Sequence, residues 1–361
     1  MIRVCEPNIG REELENITEA VKSGWISSAG EFVEKFEKEF ARFLGVKHAI
    51  STSSGTTALH LALSALGVKP GDEVIIPDLT FVATAHAIRH CFAKPVLVDV
   101  TRSYWCINPD RIEEKITDKT KAIVPVHLYG NPCDMKPILE IAEKHGLFVV
   151  EDAAEALGSE YMGRKVGSFG DIGCFSFYGN KIITTGEGGM CVTNNDDLAE
   201  RMRLLRNQAM HPKRRYYHVD VGYNYRMTNV QAAIGLAQVR KLDTFIAIKR
   251  ANARLYSLLL SDCDDIVLHH EEPWAKSTFW MYSVLVDKRD KVMLELKKEG
   301  IDTRPFFIPM HQLPPYHDNN GYPASDYLGM HGLNLPSSTR LTDDEVSFVC
   351  EKLLKIVGGK R

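Results

Sequence analysis

Lys181 is the residue of this sequence that most strongly suggests chemistry. It lies in SFYGNKIITTGEGGM, residues 176–190, a small, polar and glycine-rich segment rather than the face of an amphipathic helix. A lysine in such a segment is often a solvated surface residue, and the segment alone leaves that interpretation open. The segments that precede it in sequence distinguish a solvated surface lysine from a lysine with a chemical role.

An acidic side chain ends a strand-like run in LFVVEDAAEALGS, residues 147–159. The continuous apolar run is typical of a buried strand in a parallel sheet. The strand delivers Asp152 at its carboxyl end, which is the edge where open α/β sheets bind ligands. We therefore expect Asp152 to lie in a ligand site.

An anion site is indicated further upstream, in HAISTSSGTTALHLALSALG, residues 48–67. The pattern predicts a strand, a turn of small residues and a helix that begins near Thr56. The free N–H groups and partial positive charge of a helix N-terminus attract phosphate, and Gly55 permits a close approach. An ordinary N-cap without a ligand is the alternative. The side-chain hydroxyls that could also contact a phosphate here belong to Ser53, Ser54, Thr56 and Thr57.

A phosphate site, a buried carboxylate and a lysine together meet the needs of one cofactor, pyridoxal 5′-phosphate (PLP). Lys181 would form a Schiff base with the cofactor aldehyde and, once displaced by substrate, would move a proton between two carbons. Asp152 would pair with the pyridine nitrogen and keep it protonated, so that the ring accepts carbanion charge. The sequence thus predicts PLP as the cofactor and predicts no metal site.

Over essentially its whole length the chain resembles the DegT/DnrJ/EryC1/StrS family of nucleotide-sugar aminotransferases, which belong to the type I PLP aminotransferases. The resemblance implies an α/β fold, in which a large PLP-binding domain has a mostly parallel sheet and a smaller C-terminal domain is α+β. It also implies an active site at a dimer interface, so we expect a homodimer with shared sites and leave open the pairing of dimers into tetramers. The segments that carry the resemblance are GWISSAGEFVEKFE, TSSGTTALHLAL, PDLTFVATAHAI, VPVHLYGNPCDM, EDAAEALGS, SFYGNKIITTGEGGM, GYNYRMTNVQAAIGLAQ and RPFFIPMHQLP.

The resemblance assigns further residues to the cofactor. Phe81 would stack on the pyridine ring, Glu155 would lie near the phenolic oxygen, and Ser176 would help to hold the phosphate. Asn224, with Arg226 as a second candidate, would reach the phosphate of the neighbouring subunit. Structural alternatives stay open: core packing for Phe81, an exposed helix position for Glu155 and a helix-capping loop for Asn224.

Two segments are candidates for binding the substrate. HPKRRYYH, residues 211–218, combines cations with tyrosines, which could pair with the diphosphate and stack on the base of a sugar nucleotide. A solvated run of charge is the alternative. His311, in the loop from Arg304 to Tyr316, is a further candidate, although a single histidine is usually structural or solvated. The cationic candidates in the first segment are Lys213, Arg214 and Arg215.

The resemblance predicts transamination rather than dehydration, because relatives that remove a sugar hydroxyl carry histidine where this chain has Lys181. The expected reaction moves an amino group from L-glutamate to a nucleotide-linked 4-keto-6-deoxy sugar, with GDP-4-keto-6-deoxymannose as the expected substrate. The product would serve surface polysaccharide or glycoside assembly. A UDP- or dTDP-linked keto sugar is the first alternative. A regulatory or binding protein is the second, but no helix-turn-helix segment or basic DNA-reading face supports it.

Length and composition agree with a cytoplasmic enzyme. The chain has 361 residues, of which 44% are hydrophobic and 25% charged, with a formal net charge of −3. This near-neutral balance argues against a nucleic-acid partner. Eight scattered cysteines without a C-x-x-C pair predict reduced thiols and no disulfides. Neither a leader peptide nor a run of roughly 18 apolar residues is visible, so we expect a soluble, unprocessed protein away from membranes.

Strand-like and helical runs alternate from residue 47 to about residue 195, which indicates parallel βαβ winding. Helices are predicted over FVATAHAIRHCFA, NPDRIEEKIT and MKPILEIAEKHG. Asn108 and Pro109 would begin the second of these helices, and Gly146 would end the third.

The C-terminal part has a different pattern. Residues 196–245 are predicted to be mostly helical, and a long connecting helix is predicted over residues 240–260. We place the domain boundary near residue 246, which gives a large domain at 1–245, including the N-terminal segment, and a small domain at 246–361. The final predicted helix ends in VGGKR.

Overall fold

The computed structural model describes residues 1–358, so the last three residues of VGGKR lie outside the described part. Its α-helices are α1 (Arg11–Lys22), α2 (Glu31–Leu44), α3 (Gly55–Ala65), α4 (Ala83–His90), α5 (Met135–His145), α6 (Asp196–Arg206), α7 (Asn229–Arg240), α8 (Leu242–Leu260), α9 (Arg289–Lys298), α10 (Pro323–His331) and α11 (Asp343–Val357). Its strands are β1 (His48–Thr52), β2 (Glu73–Pro77), β3 (Lys94–Val98), β4 (Thr120–Ile123), β5 (Phe148–Asp152), β6 (Glu160–Tyr161), β7 (Arg164–Lys165), β8 (Ile172–Ser176), β9 (Gly189–Thr193), β10 (Ile266–Leu268), β11 (Ala275–Lys276), β12 (Tyr282–Val286), β13 (Arg304–Pro305) and β14 (Gly332–Leu335).

A seven-stranded sheet in the order β1-β9-β8-β5-β4-β2-β3 forms the centre of the larger part. Strands β3, β2, β4, β5 and β8 run parallel to one another. Strand β9 is antiparallel to both β1 and β8, because the connecting segment 177–188 forms no helix that could cross the sheet. The predicted mostly parallel sheet is confirmed, with β9 as the departure from uniform parallel winding.

Helix α2 shows how one face of this sheet is covered. Phe32, Phe36 and Phe40 recur at four-residue spacing and are buried on one side of the helix. The ring centroids of Phe36 and Phe177 lie 5.2 Å apart, and those of Phe40 and Phe175 also lie 5.2 Å apart. This aromatic packing fixes the end of β8, from which the lysine-bearing segment departs.

A four-stranded antiparallel sheet, in the order β10-β12-β14-β13, forms the smaller part. Tyr256 of α8, Leu296 of α9 and Val349 of α11 belong to the buried cluster that covers it. Helices on an antiparallel sheet give the α+β architecture that the resemblance implied.

The domain boundary near residue 246 stays a prediction. It falls inside α8, whose Phe245 joins the core beside the large sheet and whose Leu260 joins the core of the small sheet. Helix α10 follows the boundary in sequence, yet its Leu328 joins the core beside the large sheet. The two parts therefore share buried side chains across the boundary.

The predicted α-helix over residues 108–117 is wrong. The segment forms two 3₁₀ turns, Pro109–Arg111 and Glu113–Lys115. Asn108 does cap the first turn, because its side chain accepts a hydrogen bond from the Asp110 N–H. Ile112 is the one side chain between Asp110 and Thr117 that is buried, and a short helix needs more packing than that to be stable. The predicted stop of α5 at Gly146 is confirmed by its left-handed φ of 65°.

Helical structure is also less continuous than predicted between residues 196 and 260. Residues 207–228 form no helix, and Gly222 lies so near the main chain of Ala209 that an added Cβ would be 2.2 Å from its nitrogen. The chain thus folds back on itself here, which a helix could not do. The long helix begins at Leu242 rather than at residue 240, because α7 ends at Arg240.

All eight cysteines lie in the described part of the chain and are free thiols. Within residues 1–358, no helix combines the length and the apolar composition needed to cross a membrane. In the same range, no three His, Cys, Asp or Glu side chains cluster in a way that could hold a metal ion.

Candidate active site

The carboxyl ends of the parallel strands open into a cavity of about 360 Å³. The smaller part lines the opposite wall of this cavity with Trp280 before β12, Arg304 of β13, Phe307 after β13 and Asn334 of β14. The predicted cofactor residues that line the cavity are Ser54, Gly55, Thr56, Phe81, Asp152, Glu155, Ser176 and Lys181. Asn224 is the predicted cofactor residue that does not line this cavity.

Lys181 lies in a turn after β8, in which its N–H donates to the carbonyl oxygen of Tyr178. Its side chain is 13% exposed, which excludes the interpretation as a solvated surface lysine. Its Nζ is 3.5 Å from Glu155 Oε1 and 3.8 Å from the ring centroid of Trp280. Burial lowers the pKa of Lys181, and the charge of Glu155 opposes that change. A lysine with a lowered pKa is more often a free amine, the form that attacks a carbonyl carbon or accepts a proton.

Asp152 ends β5 as predicted and is buried. Its Oδ2 accepts a hydrogen bond from Thr84 Oγ1 at 2.8 Å, and its Oδ1 accepts one from the Ala154 N–H at 3.2 Å. Burial raises the pKa of Asp152, while the bond from Thr84 opposes the rise. A cationic partner in the cavity would favour the ionised form, as a protonated ring nitrogen does.

Glu155 is buried and lies in a turn outside any helix, so the alternative of an exposed helix position is wrong. Its Oε2 accepts a hydrogen bond from the Tyr129 N–H at 2.9 Å. Tyr129 has a φ of 54°, in the left-handed region. Burial raises the pKa of Glu155, and the charge of Lys181 opposes the rise. The opposite charges of Glu155 and Lys181 therefore stabilise each other in the interior.

The N-terminus of α3 combines an N-cap with free N–H groups of the kind that bind anions. Ser54 Oγ accepts from the Thr57 N–H at 3.1 Å, and the Ser54 N–H donates to Thr57 Oγ1 at 3.0 Å. Gly55 and Thr56 come first in the helix, which cannot satisfy their N–H groups, and both line the cavity. The N-cap alternative and the phosphate hypothesis thus describe different groups of the same helix end.

Gly55 has a packing role that the sequence did not reveal. A Cβ at this position would lie 2.7 Å from Ser176 Cβ, which is closer than side-chain carbons approach one another. The missing side chain therefore brings α3 against the end of β8. As a result, the hydroxyl of Ser176 lies beside the first turn of the helix.

Phe81 is 53% exposed, so core packing does not account for it. Its ring centroid lies 5.5 Å from that of Phe307, at an interplanar angle of 53°. Both rings line the cavity, and an exposed aromatic face on a cavity wall is available for a flat ligand.

Asn224 lies outside the cavity of its own chain. It is exposed and forms an isolated bridge with Asn207. Arg226 Nη1 donates to Asn207 Oδ1 at 2.6 Å, and its Nε donates to Ser28 Oγ at 3.0 Å. Their predicted reach into a neighbouring subunit stays a prediction.

The substrate candidates also lie away from this cavity. Lys213 is exposed, Arg214 lies 4.4 Å from the ring centroid of Tyr217, and Arg215 lies 4.9 Å from that of Tyr216. His311 is engaged elsewhere: its Nδ1 is 2.8 Å from Asp78 Oδ2 and its Nε2 is 3.2 Å from Asp326 Oδ1. Substrate binding by these four residues stays a prediction.

Several residues that line or support the cavity were missed from the sequence. Thr84 supports the cavity through its hydrogen bond to Asp152, and its position one helical turn after Phe81 in PDLTFVATAHAI was a usable signal. Trp280 lies in FWMYSVLVDK, a run that indicates a strand and carries no pattern of a site. Nothing local marks Tyr129, Arg304 or Asn334, since their approach to the site depends on the contact between the two parts.

The side chains of the cavity fit PLP. The first turn of α3 suits a phosphate, the buried carboxylate of Asp152 suits a protonated ring nitrogen, and the amine of Lys181 suits an aldehyde. Asn180 also lines the cavity. Its Oδ1 atom is buried without a hydrogen-bond partner among residues 1–358. An unpartnered buried acceptor indicates that a bound group completes the site.

A buried lysine, a strand-end aspartate and a helix N-terminus around one cavity of a mostly parallel sheet are the arrangement that a PLP-dependent aminotransferase of the type I fold requires. The predicted fold class, cofactor and enzyme class are confirmed by comparison with known proteins. The chain belongs to the DegT/DnrJ/EryC1/StrS aminotransferase family, whose sequence profile matches residues 7–354.

Individual relatives match over nearly the whole chain. The chain is 48% identical to GDP-perosamine synthase of Caulobacter vibrioides over 99% of this chain and 98% of the relative. It is 45% identical to GDP-perosamine synthase of Escherichia coli O157:H7 over 99% of both chains. Among solved structures, the PLP-form of Spr1654 from Streptococcus pneumoniae has a TM-score of 0.94 and 28% identity, with 98% of each chain covered.

Proposed function

We propose that the protein converts GDP-4-keto-6-deoxymannose to GDP-perosamine by transamination, with L-glutamate as the amino donor. The observation that carries the proposal is the 48% and 45% identity to two GDP-perosamine synthases over nearly full length. The retained Lys181 amine in a lined cavity supports amino transfer over dehydration. A UDP- or dTDP-linked keto sugar would use the same catalytic side chains.

PLP supplies an aldehyde for amine exchange and a protonated ring that accepts electron density. The N–H groups of Gly55 and Thr56, with the hydroxyls of Ser54 and Ser176, would hold its phosphate. Asp152 would hold the ring nitrogen, in a geometry that Thr84 and Ala154 N–H already fix by hydrogen bonds. Phe81 offers the exposed aromatic face for the ring.

Proton movement falls to Lys181. Its amine is favoured in the neutral form by burial, so Nζ can take a proton from a substrate carbon and return it to a neighbouring one. Glu155, at 3.5 Å, stabilises the ammonium that this transfer creates. The indole of Trp280 and the ring of Phe307 on the cavity wall keep water from the same region.

Binding of the nucleotide diphosphate is proposed for Lys213, Arg214 and Arg215. The support is their exposure and the two arginine–tyrosine contacts, which present cations and flat rings together. Alanine variants should raise the Michaelis constant for the sugar nucleotide and leave that for glutamate unchanged. An unchanged Michaelis constant for the sugar nucleotide would count against this role.

A homodimer with shared sites is also proposed, in which Asn224 acts on the phosphate site of the partner. The support is that Asn224 is exposed while every other proposed cofactor residue lines the cavity of its own chain. If Asn224 acts across the interface, mixing inactive Lys181→Ala and Asn224→Ala proteins restores one complete site in each mixed dimer. If the mixture stays inactive although mixed dimers form, Asn224 does not act across the interface.

We place the enzyme in the cytoplasm, where its product would serve surface polysaccharide assembly. The support is the set of eight cysteines that are all free thiols, as expected in a reducing compartment.

The experiment that tests the substrate is an absorption spectrum of the PLP-loaded protein with reactants added in order. Glutamate should remove the band of bound PLP, and GDP-4-keto-6-deoxymannose should restore it after glutamate is washed out. UDP- and dTDP-linked 4-keto-6-deoxy sugars should restore it more slowly. Restoration by one of these alone would keep the aminotransferase and reject the GDP-sugar. Failure of glutamate to change the band would reject glutamate as the donor.

A further inference from the structure

Trp280 presents its indole face to the amine of Lys181. The Nζ atom lies 3.8 Å from the ring centroid, within the range of a cation–π contact. Trp280 is 4% exposed, so the contact is shielded from water on the far side of the ring. The ammonium form of Lys181 thus meets an aromatic face on one side and Glu155 on another.

The indole N–H of Trp280 fixes the main chain beside the same lysine. Its Nε1 donates to the carbonyl oxygen of Asn180 at 2.7 Å, and Asn180 directly precedes Lys181. The thiol of Cys5 donates to the same oxygen at 3.0 Å. The peptide that carries the lysine is therefore held by one group of the smaller part and one group of the N-terminal segment.

Trp280 is itself held firmly. Its carbonyl oxygen accepts a hydrogen bond at 3.0 Å from Nζ of Lys249, a buried residue of α8 that also donates to the Ser337 carbonyl oxygen. Its ring lies nearly parallel to that of Tyr129, at an angle of 20° and a centroid distance of 6.2 Å. Because the main chain and the ring of Trp280 are both held in place, Trp280 can in turn hold a neighbouring side chain in place.

We infer that Trp280 is a positioning residue for Lys181: its face fixes the direction of the lysine side chain that ends in Nζ, and its N–H fixes the peptide before the lysine. The inference rests on the assignment of Lys181 as the reacting amine. Lys181 must point its amine at a substrate carbon whenever it moves a proton, and a long lysine side chain without a fixed neighbour would sample many directions. Trp280 removes that freedom without adding a charge.

Three variants separate the two contacts. Trp280→Leu removes both the ring and the N–H, whereas Trp280→Phe keeps a ring and removes the N–H. Trp274→Phe is the matched control, because Trp274 lies against Tyr104 and Tyr161 rather than against Lys181. The unfolding midpoint of each variant shows whether it is folded, and Trp280→Met replaces Trp280→Leu if the latter does not fold.

The first readout is the single-turnover loss of the bound-PLP band with glutamate, which does not involve the sugar substrate. Trp280→Leu should slow this rate by about tenfold and leave the glutamate concentration for half-saturation within about twofold. Trp280→Phe should slow it by about threefold, because it loses only a hydrogen bond. Trp274→Phe should match the wild type.

The second readout uses the PLP-free protein and no activity. Competitive acetylation of Lys181 across a range of pH, followed by peptide mass spectrometry, reports where its amine titrates. Since an aromatic face favours the ammonium, Trp280→Leu should move the labelling midpoint by about one pH unit towards acid, and Trp280→Phe should leave it in place. The other titratable groups around the amine stay unchanged in these variants: Cys5, Asp152, Glu155, Glu187 and Arg304.

A wild-type rate and a wild-type labelling midpoint in a folded ring-free variant would overturn the inference. If neither ring-free variant folds, Trp280→Phe decides, and a wild-type glutamate rate in that protein would overturn it. Failure of the GDP-sugar to react would leave both readouts intact, so the proposed substrate and this inference fail separately.

Discussion

Replacing Thr84 with valine should weaken PLP binding, because Thr84 donates one of the two hydrogen bonds that the carboxylate of Asp152 accepts. The Thr84 hydroxyl lies 2.8 Å from Asp152 Oδ2, and the two residues are 1% and 5% exposed. The second bond, from the Ala154 N–H to Oδ1, is longer at 3.2 Å. Valine has nearly the same shape as threonine, so the change removes a donor with little loss of packing.

The size and sign of the effect follow from this geometry. A hydrogen bond to a charged group contributes about 1.5–3 kcal/mol, so its loss should weaken PLP binding about 10- to 100-fold. Burial already raises the pKa of Asp152, and the Thr84 donor opposes the rise by favouring the ionised form. Without that donor the pKa of Asp152 rises further. The acid limb of the PLP-binding curve should therefore move to higher pH.

Equilibrium dialysis of PLP against the PLP-free protein, repeated across a range of pH, measures both effects. Thr84→Ser is the matched control, because it keeps the hydroxyl and should bind PLP within about threefold of the wild type. If Thr84→Val binds PLP as tightly as the wild type at every pH, the hydrogen bond to Asp152 does not support the cofactor. The account of how the carboxylate is kept ionised would then be wrong.

Two further predictions concern packing around the site. Gly55→Ala should lower the thermal unfolding midpoint and the PLP affinity, because its Cβ would lie 2.7 Å from Ser176 Cβ and overpacking costs about 1–3 kcal/mol. Gly179→Ala, with no atom within 4 Å of the added Cβ, should change neither quantity, and equal effects of both variants would contradict the packing argument. Lys249→Met should lower the free energy of unfolding by about 2–4 kcal/mol in urea titration, because buried carbonyls lose their donor. An unchanged urea midpoint and slope would show that the hydrogen bonds donated by Lys249 do not stabilise the folded protein.

Site residues could be predicted from the sequence where the local sequence pattern around them indicates their role. Asp152 stands at the end of an apolar strand, Ser54 precedes a helix and Lys181 lies in a glycine-rich turn, and all three line the cavity. In contrast, Thr84 and Asp152 are 68 residues apart, and Trp280 and Asn180 are 100 residues apart. No local pattern encodes such pairings, because they depend on how whole strands and helices pack.

Local pattern also failed where packing overrides propensity. The segment 108–117 has a good cap and helix-forming residues, but it buries too few side chains to close an α-helix. An exposed helix position was the alternative for Glu155, yet Tyr129 and Lys181 hold it in the interior. The role of a charged residue in this protein therefore depends on the neighbours with which the fold brings it into contact.

The most direct test of the central claim is the transfer of nitrogen itself. The PLP-loaded protein is incubated with GDP-4-keto-6-deoxymannose and glutamate that carries heavy-isotope nitrogen, and the nucleotide sugar is analysed by mass spectrometry and NMR. The account predicts a GDP-linked amino sugar with the heavy nitrogen on the former keto carbon, and no such product from Lys181→Ala. A labelled product from Lys181→Ala, or an unaminated GDP-sugar from a wild-type protein that reacts with glutamate, would contradict it.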